Sequence, residues 1–217
     1  MALALFDLDN TLLAGDSDYL WGCFLAEQGI VDKVAYEREN QRFMDEYNQG
    51  TLDIFEFLSF SLKPLKDNEP ETLRRLQQQF LQEKIRPIMS PASFDLIDKH
   101  RQAGDTLAVI TATNSFVTLP IVEAFGIDNL LATEPEKKGN SYTGKVAGTP
   151  CFQQGKVTRL QEWMIQHDMN LEGSWFYSDS HNDIPLLKIV KNPIAVDPDT
   201  QLRQFASDRD WPIISLR

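Results

Sequence analysis

The 217-residue sequence predicts an α/β protein: a doubly wound, Rossmann-like parallel sheet with a small helical domain inserted behind its first strand. Three observations lead there. The runs ALALF (2–6), TLAVITA (106–112) and SWFYSD (174–179) are short, apolar and rich in β-formers, as strands buried on both faces are. Helical patterns separate the later runs and so demand crossover connections. Residues 14–88 read as helix after helix with no strand pattern.

The first strand ends at Phe6 and is followed at once by DLDNTLL. The helical tract after it contains DYLWGCFLAEQG, KVAYERENQRFMDEYNQG, LDIFEFLSFSL and PETLRRLQQQFLQEKI, too long for a loop and too apolar for a linker. It is read as a helical cap over 14–88, with 1–13 and 89–217 forming the α/β core. Helices are predicted over 92–104 and 116–126, each stopped by glycine, and over 155–168. Gly139-Asn140 marks a short hairpin within 134–148. NPIAVDP, TQLRQFAS and WPIISL read as strand, helix and strand.

A formal net charge of −11 and the absence of a basic stripe argue against nucleic acid as a partner. No apolar run approaches a membrane span, and the N-terminus shows no basic leader, so a soluble, cytoplasmic protein is expected. Cys23 and Cys151 match neither a metal nor a disulfide spacing and read as small buried hydrophobes in a reducing compartment.

The strand ends carry the chemistry. In a doubly wound sheet they converge on one crevice, so Asp7 and Asp9, Thr111 with the backbone N–H of Ala112 behind it, Lys156, and Asp179 and Asp183 should meet. One carboxylate of the first pair can attack a phosphorus while the other handles a proton. A hydroxyl, following N–H groups and a lysine can hold phosphoryl oxygens. Several carboxylates in one place repel unless a divalent cation sits among them, and an oxygen-rich, cysteine-free set selects Mg²⁺.

FDLDNTLL, VITAT, GK and YSDSHNDIPLL, in that order, resemble the four motifs of the haloacid dehalogenase superfamily of aspartyl-phosphate phosphatases. The inserted helices resemble the small cap of the branch that contains phosphoserine and histidinol-phosphate phosphatases. The resemblance implies Asp7 as nucleophile, Asp9 as general acid with its backbone carbonyl on Mg²⁺, and Thr111, Ala112 and Lys156 around the phosphate. It implies Asp7, Asp9, Asp179 and Asp183 as the metal set, with Asn182 orienting the phosphate. Asp16 stands where phosphoserine phosphatases carry an acid for the substrate amino group; its simpler reading is a helix N-cap. The cap arginine of those enzymes is replaced by Ser61, and Arg38, Arg42 or Lys63 would have to substitute.

The expectation is therefore a Mg²⁺-dependent phosphomonoesterase acting on a small amino-bearing phosphate, histidinol phosphate before phosphoserine. A phosphotransferase or a phospho-accepting signalling module on the same scaffold is the alternative. His181 reads as an orienting or exposed residue, and His100 and His167 as exposed. Trp21, Phe24, Phe43, Tyr47, Phe55, Phe57 and Phe60 read mostly as cap core, one or two of them lining the pocket.

Overall fold

The computed structural model describes residues 2–217. A seven-stranded sheet in the order β4-β3-β2-β1-β5-β6-β7 forms its centre. The strands are β1 (Leu3–Phe6), β2 (Thr106–Asn114), β3 (Asn129–Lys138), β4 (Ser141–Ala147), β5 (Trp175–Ser178), β6 (Asn192–Val196) and β7 (Ile213–Ile214). All pairings are parallel except β3 with β4, the hairpin turning at Gly139-Asn140. β1 lies between β2 and β5, with Phe6 opposite both Val109 and Tyr177. The chain leaves β1 toward β2 on one side and reaches β5 on the other, so the carboxyl end of β1 is the topological switch point.

Strand alternation sorts the apolar residues into two cores. Leu3 and Leu5 pack with Ala108, Ile110, Phe176 and Leu160 on one face. Ala4 and Phe6 pack on the other with Val109, Tyr177 and Val117, in a cluster that continues into Trp21, Phe24, Leu58, Leu73 and Phe80. The inserted helices thus share a hydrophobic core with the sheet.

That insert comprises α1 (Ser17–Glu27), α2 (Lys33–Gln49), α3 (Ile54–Ser61), α4 (Lys63–Asp67) and α5 (Pro70–Phe80). Asp16, Asp32 and Asp53 cap the first three by accepting backbone N–H bonds. Around the sheet lie α6 (Pro91–Gln102), α7 (Ser115–Ala124), α8 (Gln154–His167), α9 (Ile184–Leu187) and α10 (Thr200–Ser207). Among the described residues, no helix is long and apolar enough to cross a membrane.

Three sequence expectations fail. Cys23 is half-buried rather than buried, unlike Cys151. β3 begins at Asn129, pairing parallel with β2 before it enters the hairpin, a strand the sequence reading lacks. His100 is buried rather than exposed: its Nδ1 meets Asp105 at 2.8 Å and its Nε2 meets the Tyr177 hydroxyl at 2.8 Å, both ring nitrogens satisfied. His167 is exposed as expected.

Candidate active site

The site lies where β1, β2 and β5 end side by side. After Phe6 the chain turns sharply, with Asn10 at φ 53, a left-handed conformation that asparagine tolerates. This turn sends Asp7 and Asp9 to different partners. Asp7 accepts a hydrogen bond from the Lys156 ammonium at 2.8 Å. Asp9 accepts from the Ser17 backbone N–H at 2.6 Å and from the Thr113 hydroxyl at 2.8 Å, with the Thr111 hydroxyl at 3.4 Å. The Arg217 guanidinium braces the turn from behind, donating to the carbonyls of Asn10, Thr11 and Leu13.

Lys156 comes from the first turn of α8, and Gly155 is what lets that turn form. A Cβ at position 155 would lie 2.0 Å from the Pro150 carbonyl oxygen. The ammonium bridges Asp7 to Asp183, at 2.8 and 2.7 Å. Asp183 is held in turn by the Ser178 hydroxyl at 2.7 Å. Burial opposes the Lys156 charge, but Asp183 and Asp7 outweigh it and raise its pKa. Burial lifts Asp7 and Asp183 despite Lys156, Asp183 to about 6.

Asp179 stands differently. Burial and then the charges of Asp7 and Asp183 lift it well above the usual carboxylate range. Among the described residues no cationic side chain pairs with it; its contact is the Thr11 hydroxyl at 3.0 Å, which lies 3.4 Å from Asp7. Asp7 and Asp179 therefore flank one hydroxyl and want a positive charge between them. No three His, Cys, Asp or Glu side chains among the described residues form a metal cage. Mg²⁺ is ordinarily held by only one or two carboxylates together with waters and substrate phosphate, so this hard-oxygen pair fits it. Asp183, predicted with Asp9 as part of the metal set, is engaged by Lys156 and Ser178.

Asn182 is buried beside these acids, yet its side chain faces the inserted helices. It donates to the Tyr47 carbonyl at 3.4 Å and accepts from Gln153 at 2.9 Å. His181 sits on the same turn, its Nδ1 2.7 Å from Asp199.

Asp7, Asp9, Thr111, Ala112 and Lys156 line one pocket, and the insert closes its other end with Asp16, Asp18, Tyr19, Phe43, Tyr47 and Phe57. Asp16 is both an N-cap, accepting the Tyr19 N–H at 2.8 Å, and a wall of the pocket. Of the aromatic set, Phe43, Tyr47 and Phe57 line the pocket, more than expected, whereas Phe55 is 65% exposed and belongs to no core. Ser61 is buried and does not line it, nor do Arg38, Arg42 or Lys63; Arg42 is taken by Glu39, Glu46 and Glu56. The sequence reading missed Thr11, Thr113, Asp18 and Arg217. Only Asp18, two residues beyond Asp16, carried a local signal.

A pocket at the switch point of a doubly wound sheet, with an acid pair on the first strand's turn and a buried lysine opposite, defines a class. The haloacid dehalogenase-like hydrolase family matches residues 4–188, and the chain belongs to it. It is 41% identical over 219 residues to a histidinol-phosphatase of Neisseria meningitidis serogroup C (strain 8013), covering 99% of each chain. It is 28% identical to a phosphoserine phosphatase of Mycobacterium tuberculosis (strain ATCC 25618 / H37Rv), covering 100% of this chain and 71% of that one. Within the family the protein is a phosphatase.

Solved structures agree on the fold. A protein of unknown function from Bordetella pertussis Tohama I superposes with a TM-score of 0.94 at 44% identity, covering 100% of this chain and 99% of that one. A substrate-bound phosphoserine phosphatase superposes with a TM-score of 0.73 at 21% identity, covering 100% and 93%.

Proposed function

We propose that this phosphatase hydrolyses a small phosphomonoester with a cationic tail, histidinol phosphate in preference to phosphoserine, through a phosphoaspartate on Asp7. The observation that carries the substrate reading is the charge of the pocket. Lys156 is the one cation among its lining residues, and it is already bridging Asp7 and Asp183. The far end offers Asp16, Asp18 and aromatic rings. A flat, positively charged tail suits that wall, whereas the carboxylate of phosphoserine would meet two acids and no partner. The relative from Neisseria that bears the name histidinol-phosphatase supports the same choice.

In this reading the Asp7 carboxylate attacks phosphorus and the phosphorus–oxygen bond to the alcohol breaks, the departing oxygen taking its proton from Asp9. Asp9 then removes a proton from water as it attacks the phosphoaspartate, freeing Asp7 and inorganic phosphate. Thr111, the Ala112 N–H and Lys156 hold phosphoryl oxygens. Asp7, Asp179 and the Asp9 carbonyl would hold Mg²⁺, which neutralises charge on the transferring group. Residues 14–88 act as the cap that keeps bulk water from the reaction. The unpaired Cys23 and Cys151 suit the reducing cytoplasm.

A panel of histidinol phosphate, phosphoserine and sugar phosphates, assayed with Mg²⁺ and after chelation, tests this. Histidinol phosphate should give the highest kcat/KM, and chelation should abolish turnover until Mg²⁺ is restored. A preference for phosphoserine or a sugar phosphate overturns the substrate reading.

A further inference from the structure

The end of α2 is seated on the turn that carries the acids of the last motif. Tyr47 touches that turn twice: its hydroxyl donates to Ser180 Oγ at 3.2 Å, and its carbonyl accepts from the Asn182 amide at 3.4 Å. One turn further, α2 ends at Gly50, whose φ is 71°. A Cβ there would lie 2.9 Å from His181 Nε2, so the glycine brings backbone and ring into direct contact. The turn itself is braced on its far side, where Asp199 accepts from both the His181 N–H and Nδ1 at 2.7 Å.

The chain of contacts goes on to the lysine. Asn182 accepts from Gln153 at 2.9 Å. Gln153 sits at φ 47, ψ −117, a conformation that non-glycine residues avoid, immediately before α8 and Lys156. Tyr47 meanwhile lines the tail end of the pocket, with its ring 6.0 Å from that of Phe152. One side chain therefore faces the part of the substrate that does not react and also holds the turn between Asp179 and Asp183.

We propose that Tyr47 is a positioning residue that couples occupancy of the tail pocket to the Ser180–Asn182 turn, so that a filled tail pocket raises kcat and not only affinity. A tail packed against Tyr47 favours the seated position of α2, and the seated α2 fixes the turn and, through Asn182 and Gln153, the start of α8. Binding energy from the unreactive end of the substrate is then expressed at the reacting end. A phosphate with no tail leaves the turn less often fixed and is turned over slowly. The inference rests on the pocket's being the phosphatase site, but not on the identity of its natural substrate.

Two probes with similar leaving groups separate the cases: benzyl phosphate, whose ring fills the tail pocket, and methyl phosphate, which cannot. Tyr47→Phe should lower kcat for benzyl phosphate by about 3- to 10-fold, the worth of one hydrogen bond, and should lower kcat for methyl phosphate by clearly less. Gly50→Ala should compress the same ratio, because the added methyl group unseats α2 from His181. Amide hydrogen exchange gives a readout apart from turnover. Benzylphosphonate should slow exchange at 180–183 in the wild-type protein but not in Tyr47→Phe, and methylphosphonate should do so in neither. Equal loss of kcat on both probes, loss confined to KM, or equal protection by both phosphonates overturns the coupling. If benzyl phosphate behaves as expected while histidinol phosphate is ignored, the substrate reading fails and the coupling stands.

Discussion

Asp16 and Asp18 face the same pocket as Asp9, and the residues around them offer no cation to separate the charges. Burial, then Asp9, push the Asp16 carboxyl up to about 7; burial, then Asp16 and Asp9, hold Asp18 well above its ordinary range. A cationic tail binds the ionised carboxylate and in doing so lowers its pKa. Binding therefore releases a proton at pH values below about 7, and KM for histidinol phosphate should rise as the pH falls through that value. Asp16→Asn should raise KM by about 10-fold or more, the worth of a charge-assisted hydrogen bond, and should flatten that slope. Steady-state kinetics from pH 5.5 to 8.5 on both proteins checks it; a slope that survives in the variant would assign the titration elsewhere. The positions of the candidate residues were legible because each follows a strand end or opens a helix in a short, local pattern. Asp7, Asp9, Thr111, Lys156 and Asp179 all fall where those patterns place them. Thr113 and Thr11 were not, since a hydroxyl becomes informative only once the turn bringing it to Asp9 or Asp179 is known.

At the scale of elements, the start of α8 shows how a helix delivers a charge. The Pro150 carbonyl occupies the space a side chain at 155 would need, and it is backbone, which cannot swing aside. Gly155→Ala must shift the first turn of α8 and carry Lys156 away from Asp7 and Asp183. The expected outcome is a loss of about 1–3 kcal/mol of stability in denaturant unfolding, with kcat reduced far more than KM is raised. Unchanged kcat in a destabilised variant would separate Gly155 from the placing of the lysine. The GK pair pointed to the lysine, but nothing in the sequence named Pro150 as the reason for the glycine. The misreading of His100 has the same origin. Lys99 and Arg101 on either side suggest a solvated face, and only the distant Tyr177 and the Asp105 turn make position 100 an interior one. The parallel part of β3 went unread because NLLAT is a brief run just after the Gly126 turn, without alternation to mark it.

For the molecule as a whole, the sheet order brings the candidate residues together and the insert walls the other end of their pocket. β1 at the switch point brings Asp7, the β2 threonines and Asp179 together, whatever lies above them. The insert shares the core cluster of Phe6 and Val117, so its helices rest on the sheet while α2 still reaches the Ser180–Asn182 turn. A net charge of −11 gives no general attraction for a phosphate ester. In the proposed mechanism capture is local, at Lys156, with a compensating cation between Asp7 and Asp179. Central to that mechanism is that Asp7 accepts the phosphoryl group. The most direct test is to quench the enzyme with borohydride during turnover of histidinol phosphate or benzyl phosphate and sequence the peptides by mass spectrometry. The account predicts reduction of an acyl phosphate at Asp7 alone, dependent on substrate, and no turnover in Asp7→Asn. Turnover without a trapped Asp7, or a trapped carboxylate elsewhere with Asp7→Asn still active, would contradict it.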